Sequence, residues 1–295
     1  MNALSPQLDR EEYIEQAYFF RTYRERLEGG ISSQEILAAI HEEVLATTKL
    51  PLAIDFLRGE ILLTGRICDG MTRLPHYFNA FQTFVMTRAE EERAKFDQKI
   101  ALHILEREAE YRAKDPTPAG LFVYQFECVA RNRLGYESGL TAMAADPMFG
   151  ADWKQWIDRV RQSLGSVEFA DLIYRRSQQY VEDRYSRNRS ADPDAEMPTP
   201  QGLLFGRQEG RLAKANRSKD PLLMFAALQR QLDYPSVPRA VPRGGGPVIH
   251  PIVDTRLKQL EERIKLLESE TRSGGIDLSQ FAVKPVETPD ANEDT

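Results

Sequence analysis

The chain has 295 residues, 41% hydrophobic, 28% charged and 9% aromatic, enough apolar material for one large core or two smaller ones. Lys plus Arg number 39 and Asp plus Glu 45, so the formal net charge is −6. That balance argues against a chain-wide attraction to nucleic acid or an anionic membrane, and leaves room only for a local basic patch. Two cysteines, Cys68 and Cys128, are too few for a disulfide framework or a cysteine-built zinc site. The first ten residues lack the basic-then-apolar pattern of a secretory signal, and no apolar run reaches the ~18 residues of a membrane span. The expectation is a cytoplasmic protein with no membrane partner.

Helical periodicity runs almost unbroken to about Tyr234. Asp9 and Glu12 have capping-box spacing at the start of a first helix, and Gly29-Gly30 stop it. Ser32 and Glu35 repeat the spacing, with Ile31 and Ile36 placed as a hydrophobic staple. Behind them Ile36, Leu37, Ile40 and Val44 form a stripe that predicts a second helix ending at Leu50-Pro51. Pro51 suits the first turn of a third helix running through Leu63 and closed by Gly65.

From Pro75 to Ala113 the chain holds no internal proline or glycine, while Phe78, Phe81, Val85, Ala89, Phe96, Ile100 and Ile104 recur at mostly helical intervals. This predicts one long helix, or two nearly collinear ones broken near Glu90-Glu91-Glu92-Arg93. Trp153 and Trp156 mark one face of a later helix. Strand signals are nearly absent, with no Asn-Gly or Asp-Gly pair between alternating apolar runs. The fold class is therefore all-α: a multi-helix bundle over residues 9–234 of about nine to eleven helices, with αα-hairpins as its expected building unit.

One self-similarity stands out. Asp115 to Glu127 reads DPTPAGLFVYQFE and Met197 to Glu209 reads MPTPQGLLFGRQE, at an offset of 82 residues. Thr117 and Thr199 suit the cap of a helix whose first position is Pro118 or Pro200. The match reads either as a duplicated helix-turn-helix unit offering a partner groove, or as a chance pairing of two common helix starts.

Chemistry-bearing motifs are scarce. None of His41, His76, His103 and His250 follows a Glu by three residues, and none belongs to a His-Glu-x-x-His zinc motif. No Gly-x-Ser-x-Gly elbow, Gly-x-Gly-x-x-Gly turn or Walker loop occurs, and both cysteines sit among aliphatic residues at helical positions. No catalytic residue, metal ligand or cofactor is expected. Gly202, Gly206 and Gly210, four apart, would line a helix face that another helix or a ligand approaches closely. Arg207, Arg211, Lys214, Arg217 and Lys219 follow, and residues 172–219 hold ten basic against six acidic side chains, a local charge of 10 − 6 = +4. That stretch reads as a phosphate or RNA contact surface, or else as a solvated basic face pairing with acidic helices of the same protein. Two polar-aromatic clusters, His76-Tyr77-Phe78-Asn79 and Tyr174-Arg175-Arg176 with Tyr180, read as core whose hydroxyls reach partners.

After Tyr234 the composition changes. Residues 235–251 carry five prolines and three consecutive glycines, the pattern of a linker. Val253, Leu257, Leu260, Ile264 and Leu267 then step by four, three, four and three. With Leu257 and Ile264 at a and Leu260 and Leu267 at d, Arg256 and Arg263 take g, and Glu261 and Glu268 take e. The segment 252–272 is expected to form a homodimeric coiled coil or to dock back on the main domain. The tail from Ser273 holds five acids against Lys284 alone and is expected to be disordered. Together these features suggest a protein-interaction or scaffold module with a tethered arm and a protein partner. The competing reading is an RNA- or phosphate-binding factor, or an enzyme, that uses the basic surface 207–219.

Overall fold

Helix ends follow side-chain caps and backbone freedom, and the structure, a computed structural model, describes residues 8–91, 96–191 and 202–239. The heptad segment with Arg256, Leu257, Leu260, Glu261, Arg263, Ile264, Leu267 and Glu268, the acidic tail and the second Pro-Thr-Pro lie outside the described residues. The chain is all-α: among the described residues there are thirteen helices, no strand and two isolated bridges. The first half comprises α1 (Arg10–Glu28), α2 (Ser33–Glu43), α3 (Leu50–Thr64), α4 (Ile67–Arg73), α5 (Ala80–Glu90), α6 (Gln98–Arg112) and α7 (Pro118–Asn132). The second comprises α8 (Tyr136–Ala144), α9 (Ala151–Ser163), α10 (Phe169–Tyr174), α11 (Gln178–Ala191), α12 (Arg207–Ala215) and α13 (Pro221–Leu232). The count exceeds the expected nine to eleven because helices as short as α4 and α10 are too brief to display a period.

Several caps stand where the spacing placed them. Ser32 and Glu35 complete a reciprocal capping box on α2, Gly65 ends α3 in the left-handed region at φ 74°, and Thr117 accepts from the Gly120 N–H at 3.0 Å. Others differ. Asp9 makes no side-chain cap, because Glu12 is drawn inward, where it accepts from the Lys49 N–H at 2.8 Å and from the Tyr77 hydroxyl at 3.1 Å. Helix α2 stops at Glu43 rather than Leu50, since Glu15 takes the Leu45 N–H at 2.9 Å that would have continued the ladder. The stretch after Pro75 becomes helical only at Ala80, behind an Asn79–Gln82 capping box, and α5 and α6 fold back on each other instead of running on. Residues 202–206 are not helical, whereas the matching 120–124 lie inside α7.

Successive helices from α1 to α9 pack on their neighbours, and α1 lies along α6 to close the layer. The core is aromatic around Phe122, whose ring lies within 6.5 Å, centroid to centroid, of those of Phe126, Phe149, Trp153, Trp156, Phe169 and Phe205. Phe205 pins the segment entering α12 to α7 and α9, which fixes where α12 lies. Residues 235–239, read as linker, are packed: Val237 joins the core and Asn132 donates to the Pro238 carbonyl at 3.0 Å.

One buried cluster is ionic. Arg112 donates through Nε at 3.0 Å and Nη2 at 2.7 Å to Glu108, and through Nη2 to Asp146. Gln125 donates to both carboxylates, and the Tyr13 ring lies beneath the guanidinium. Among the described residues no helix is long and apolar enough to cross a membrane.

Candidate anion-binding site

Residues 169–191 and 202–217 fold over one another because small groups allow it. The Leu204 and Phe205 N–H groups donate to the Arg176 carbonyl at 3.0 and 3.2 Å, and the Gln178 N–H donates back to the Phe205 carbonyl at 3.1 Å. This clip brings the first turn of α12 onto the start of α11. A Cβ on Gly210 would stand 2.1 Å from Ser177 Oγ, so only glycine permits the approach. Of the three glycines spaced by four, Gly210 thus meets the α10–α11 turn, while Gly202 supplies a left-handed backbone at φ 68°.

The crossing of α10, α11 and α12 encloses a cleft of about 830 Å³. Five cations line it, Arg175, Arg184, Arg187, Lys214 and Arg217, against a single carboxylate, Asp183, with Tyr174 and Tyr180 in its wall. Asp183 is fully engaged. It receives Lys214 Nζ at 2.6 Å, the Tyr174 hydroxyl at 2.6 Å and Gln179 Nε2 at 2.9 Å. The hydrogen bonds from Lys214 and then Tyr174 pull its pKa down to about 2. Burial, and then the bond to Asp183, push the Tyr174 phenol up to about 12. Neither group changes protonation near neutral pH.

Arg217 lies over the Tyr174 ring, 4.2 Å from its centroid, and pairs with Asp171 at 2.6 Å. Tyr180 meets Tyr174 edge-on at 5.3 Å and carries Arg184 at 5.9 Å. Among the described residues no carboxylate pairs with Arg175, Arg184 or Arg187; Arg187 gives its Nε–H to the Asp183 carbonyl at 3.2 Å, and all three guanidinium groups stand exposed. The cleft therefore offers positive charge, planar donor forks and a fixed aromatic floor. That donor set suits phosphate oxygens.

The five basic residues singled out in the sequence do not all gather here. Lys214 and Arg217 line the cleft. Arg207 is held by Glu182 at 2.7 Å, Arg211 is exposed outside the lining, and Lys219 lines a separate cavity of about 390 Å³ with Glu168 and Asn216. The remaining cations come from the Tyr174-Arg175 cluster, read from sequence as core, and from Arg184 and Arg187. The spacing Tyr180, Arg184, Arg187 on one helix face is the sequence signal that marks them.

Elsewhere, the second polar-aromatic cluster is internal: Tyr77 bonds Glu12, and Gln16 joins the Tyr77 carbonyl to Gln82. Burial pushes the Cys68 thiol up to about 12 and the Cys128 thiol well above its ordinary value, which leaves both poorly nucleophilic. Among the described residues no three His, Cys, Asp or Glu side chains converge as a metal set would. No known family model, curated protein or solved structure matches the chain.

Proposed function

We propose that this protein is a helical binding module whose α10–α11–α12 cleft receives the phosphate groups of a nucleotide or of a nucleic-acid strand. The observation that carries the reading is the charge of the cleft: five cations line it, and with Lys214 paired to Asp183 and Arg217 to Asp171, the three arginines Arg175, Arg184 and Arg187 have no carboxylate partner among the described residues. A cleft of about 830 Å³ has the scale of a small-ligand site. Near neutrality Asp183 stays ionised and the Tyr174 phenol stays protonated, which favours recognition over proton transfer by these two groups.

The test is equilibrium binding of the full chain to ADP and to a labelled single-stranded RNA, at low and at physiological salt. Three phosphate contacts on a single strand give a slope of log K against log salt of about −2. A salt-sensitive complex weakened by Arg184→Ala and Arg217→Ala is the expected result. No salt-sensitive binding of either probe would end the proposal. The broader scaffold reading draws on a different surface, the leucines of α3, which stand exposed on the far side of the helix from its core residues.

A further inference from the structure

Helix α3 turns Ala53, Ile54, Leu57 and Ile61 inward, yet it carries a second apolar line on its outside. At 3.6 residues per turn, Leu52, Phe56, Gly59 and Leu63 fall within about 60° of one another. Leu52 is 74% exposed and Leu63 81%, with Leu62 beside them at 70% and Phe56 at 37%. A Cβ placed on Gly59 would meet nothing within 4 Å, so an open hollow lies between Phe56 and Leu63. An apolar line of this kind marks a contact surface rather than a contribution to the chain's own core.

The line complements itself when reversed, and we infer that α3 is a two-fold interface with a second copy of this chain, its two helices antiparallel about an axis between residues 57 and 58. In that register Leu52 of each copy lies opposite Leu63 of the other, and the Phe56 ring fills the hollow over Gly59, twice over. Beside the line Asp55 and Arg58 pair at 3.1 Å within each helix, so this flank brings no net charge to the contact. A parallel pairing would set Phe56 against Phe56 and leave a void between two glycines. One face of a single 15-residue helix falls short of the ~800 Å² per partner of a standard interface, so the dimer is weak, with a Kd on the order of 10–100 µM.

Sedimentation of the full chain from about 5 to 500 µM, bracketing that Kd, reads the assembly. Leu63→Glu and Gly59→Leu change exposed positions that the protomer does not need for packing, and each is expected to weaken the dimer at least about ten-fold. Orientation is read by oxidative cross-linking. A mixture of Leu52→Cys and Leu63→Cys chains should join. Leu52→Cys alone should not, because 11 residues at 1.5 Å put the two sulfurs about 16 Å apart, beyond disulfide reach. The buried Cys68 and Cys128 stay out of the reaction. A monomer at every concentration, a dimer indifferent to both substitutions, or self-linking of Leu52→Cys would each overturn the inference.

Discussion

Arg112→Met isolates the energetic role of the buried ionic cluster. The Arg112 side chain is 3% exposed, and the Glu108 and Asp146 side chains are 0% exposed. Removing the guanidinium leaves two carboxylates in a dry site with Gln125 as their shared donor. Breaking a buried pair from one side costs about 3–5 kcal/mol, and for a body of this size that lowers Tm by about 6–20 °C. The loss depends on pH. Burial already raises the Glu108 pKa above the usual carboxylate range, and Arg112 is the largest influence holding it down. A group whose pKa rises on folding contributes stability fully below its unfolded pKa and loses it as pH climbs through the folded one. Without Arg112 that window widens upward, so the variant should be hurt more near pH 7.5 than near pH 5. Urea unfolding at both pH values provides the assay. A loss under about 1 kcal/mol, or one equal at both pH values, would refute the reasoning. Glu108→Gln serves as the control. Because Glu108 Oε2 has no hydrogen-bond partner, the amide should stay within about 1 kcal/mol of the parent and flatten the pH dependence.

Other substitutions reach the helix caps and the cleft. Glu12→Ala removes the carboxylate that holds the Lys49 N–H and the Tyr77 hydroxyl, and chemical denaturation should register a loss of about 2–3 kcal/mol. Gly210→Ala drives a methyl into Ser177, so thermal melting should fall by the equivalent of about 1–3 kcal/mol while ADP affinity drops as α12 shifts. Asp183→Asn frees Lys214 and raises the charge of the cleft by one, which should tighten phosphate binding at low salt in a calorimetric titration. Its stability effect has the opposite pH sign from that of Glu108. The depressed Asp183 pKa stabilises above the ordinary carboxylate value and loses that contribution as pH falls through about 2. Solvent screening holds its size to about 1 kcal/mol, so acid unfolding of the variant should shift only slightly.

The sequence announces helices through features confined to a few residues: Ser32 with Glu35, Thr117 with Pro118, and Gly65 after Leu63. It conceals the caps made at long range. Glu12 has the spacing to close its own helix and instead serves α3, while Glu90 accepts the Ile67 and Cys68 N–H groups at the start of α4. No local pattern records a carboxylate reaching 22 or 37 residues along the chain. The cleft was half legible for the same reason. Lys214 and Arg217 belong to a visible basic run, but Arg184 and Arg187 join them only because α11 crosses α12, a geometry set by Gly210 on Ser177 and Phe205 in the aromatic core. Arg207 belongs to the same run and is neutralised by Glu182, a pairing of the kind the basic run allowed with acidic helices of the same protein, but whose partner the sequence does not identify.

The central claim is that phosphate settles on the arginines of the α10–α12 cleft. Arginine-specific phenylglyoxal modification, read residue by residue by mass spectrometry with and without ADP, tests it most directly. Arg184, Arg187 and Arg217 should be protected by ADP, while Arg58 and Arg73, exposed on α3 and α4, should react equally in both samples. Unchanged modification of the cleft arginines at saturating ADP, or protection spread evenly over both sets, would contradict the account.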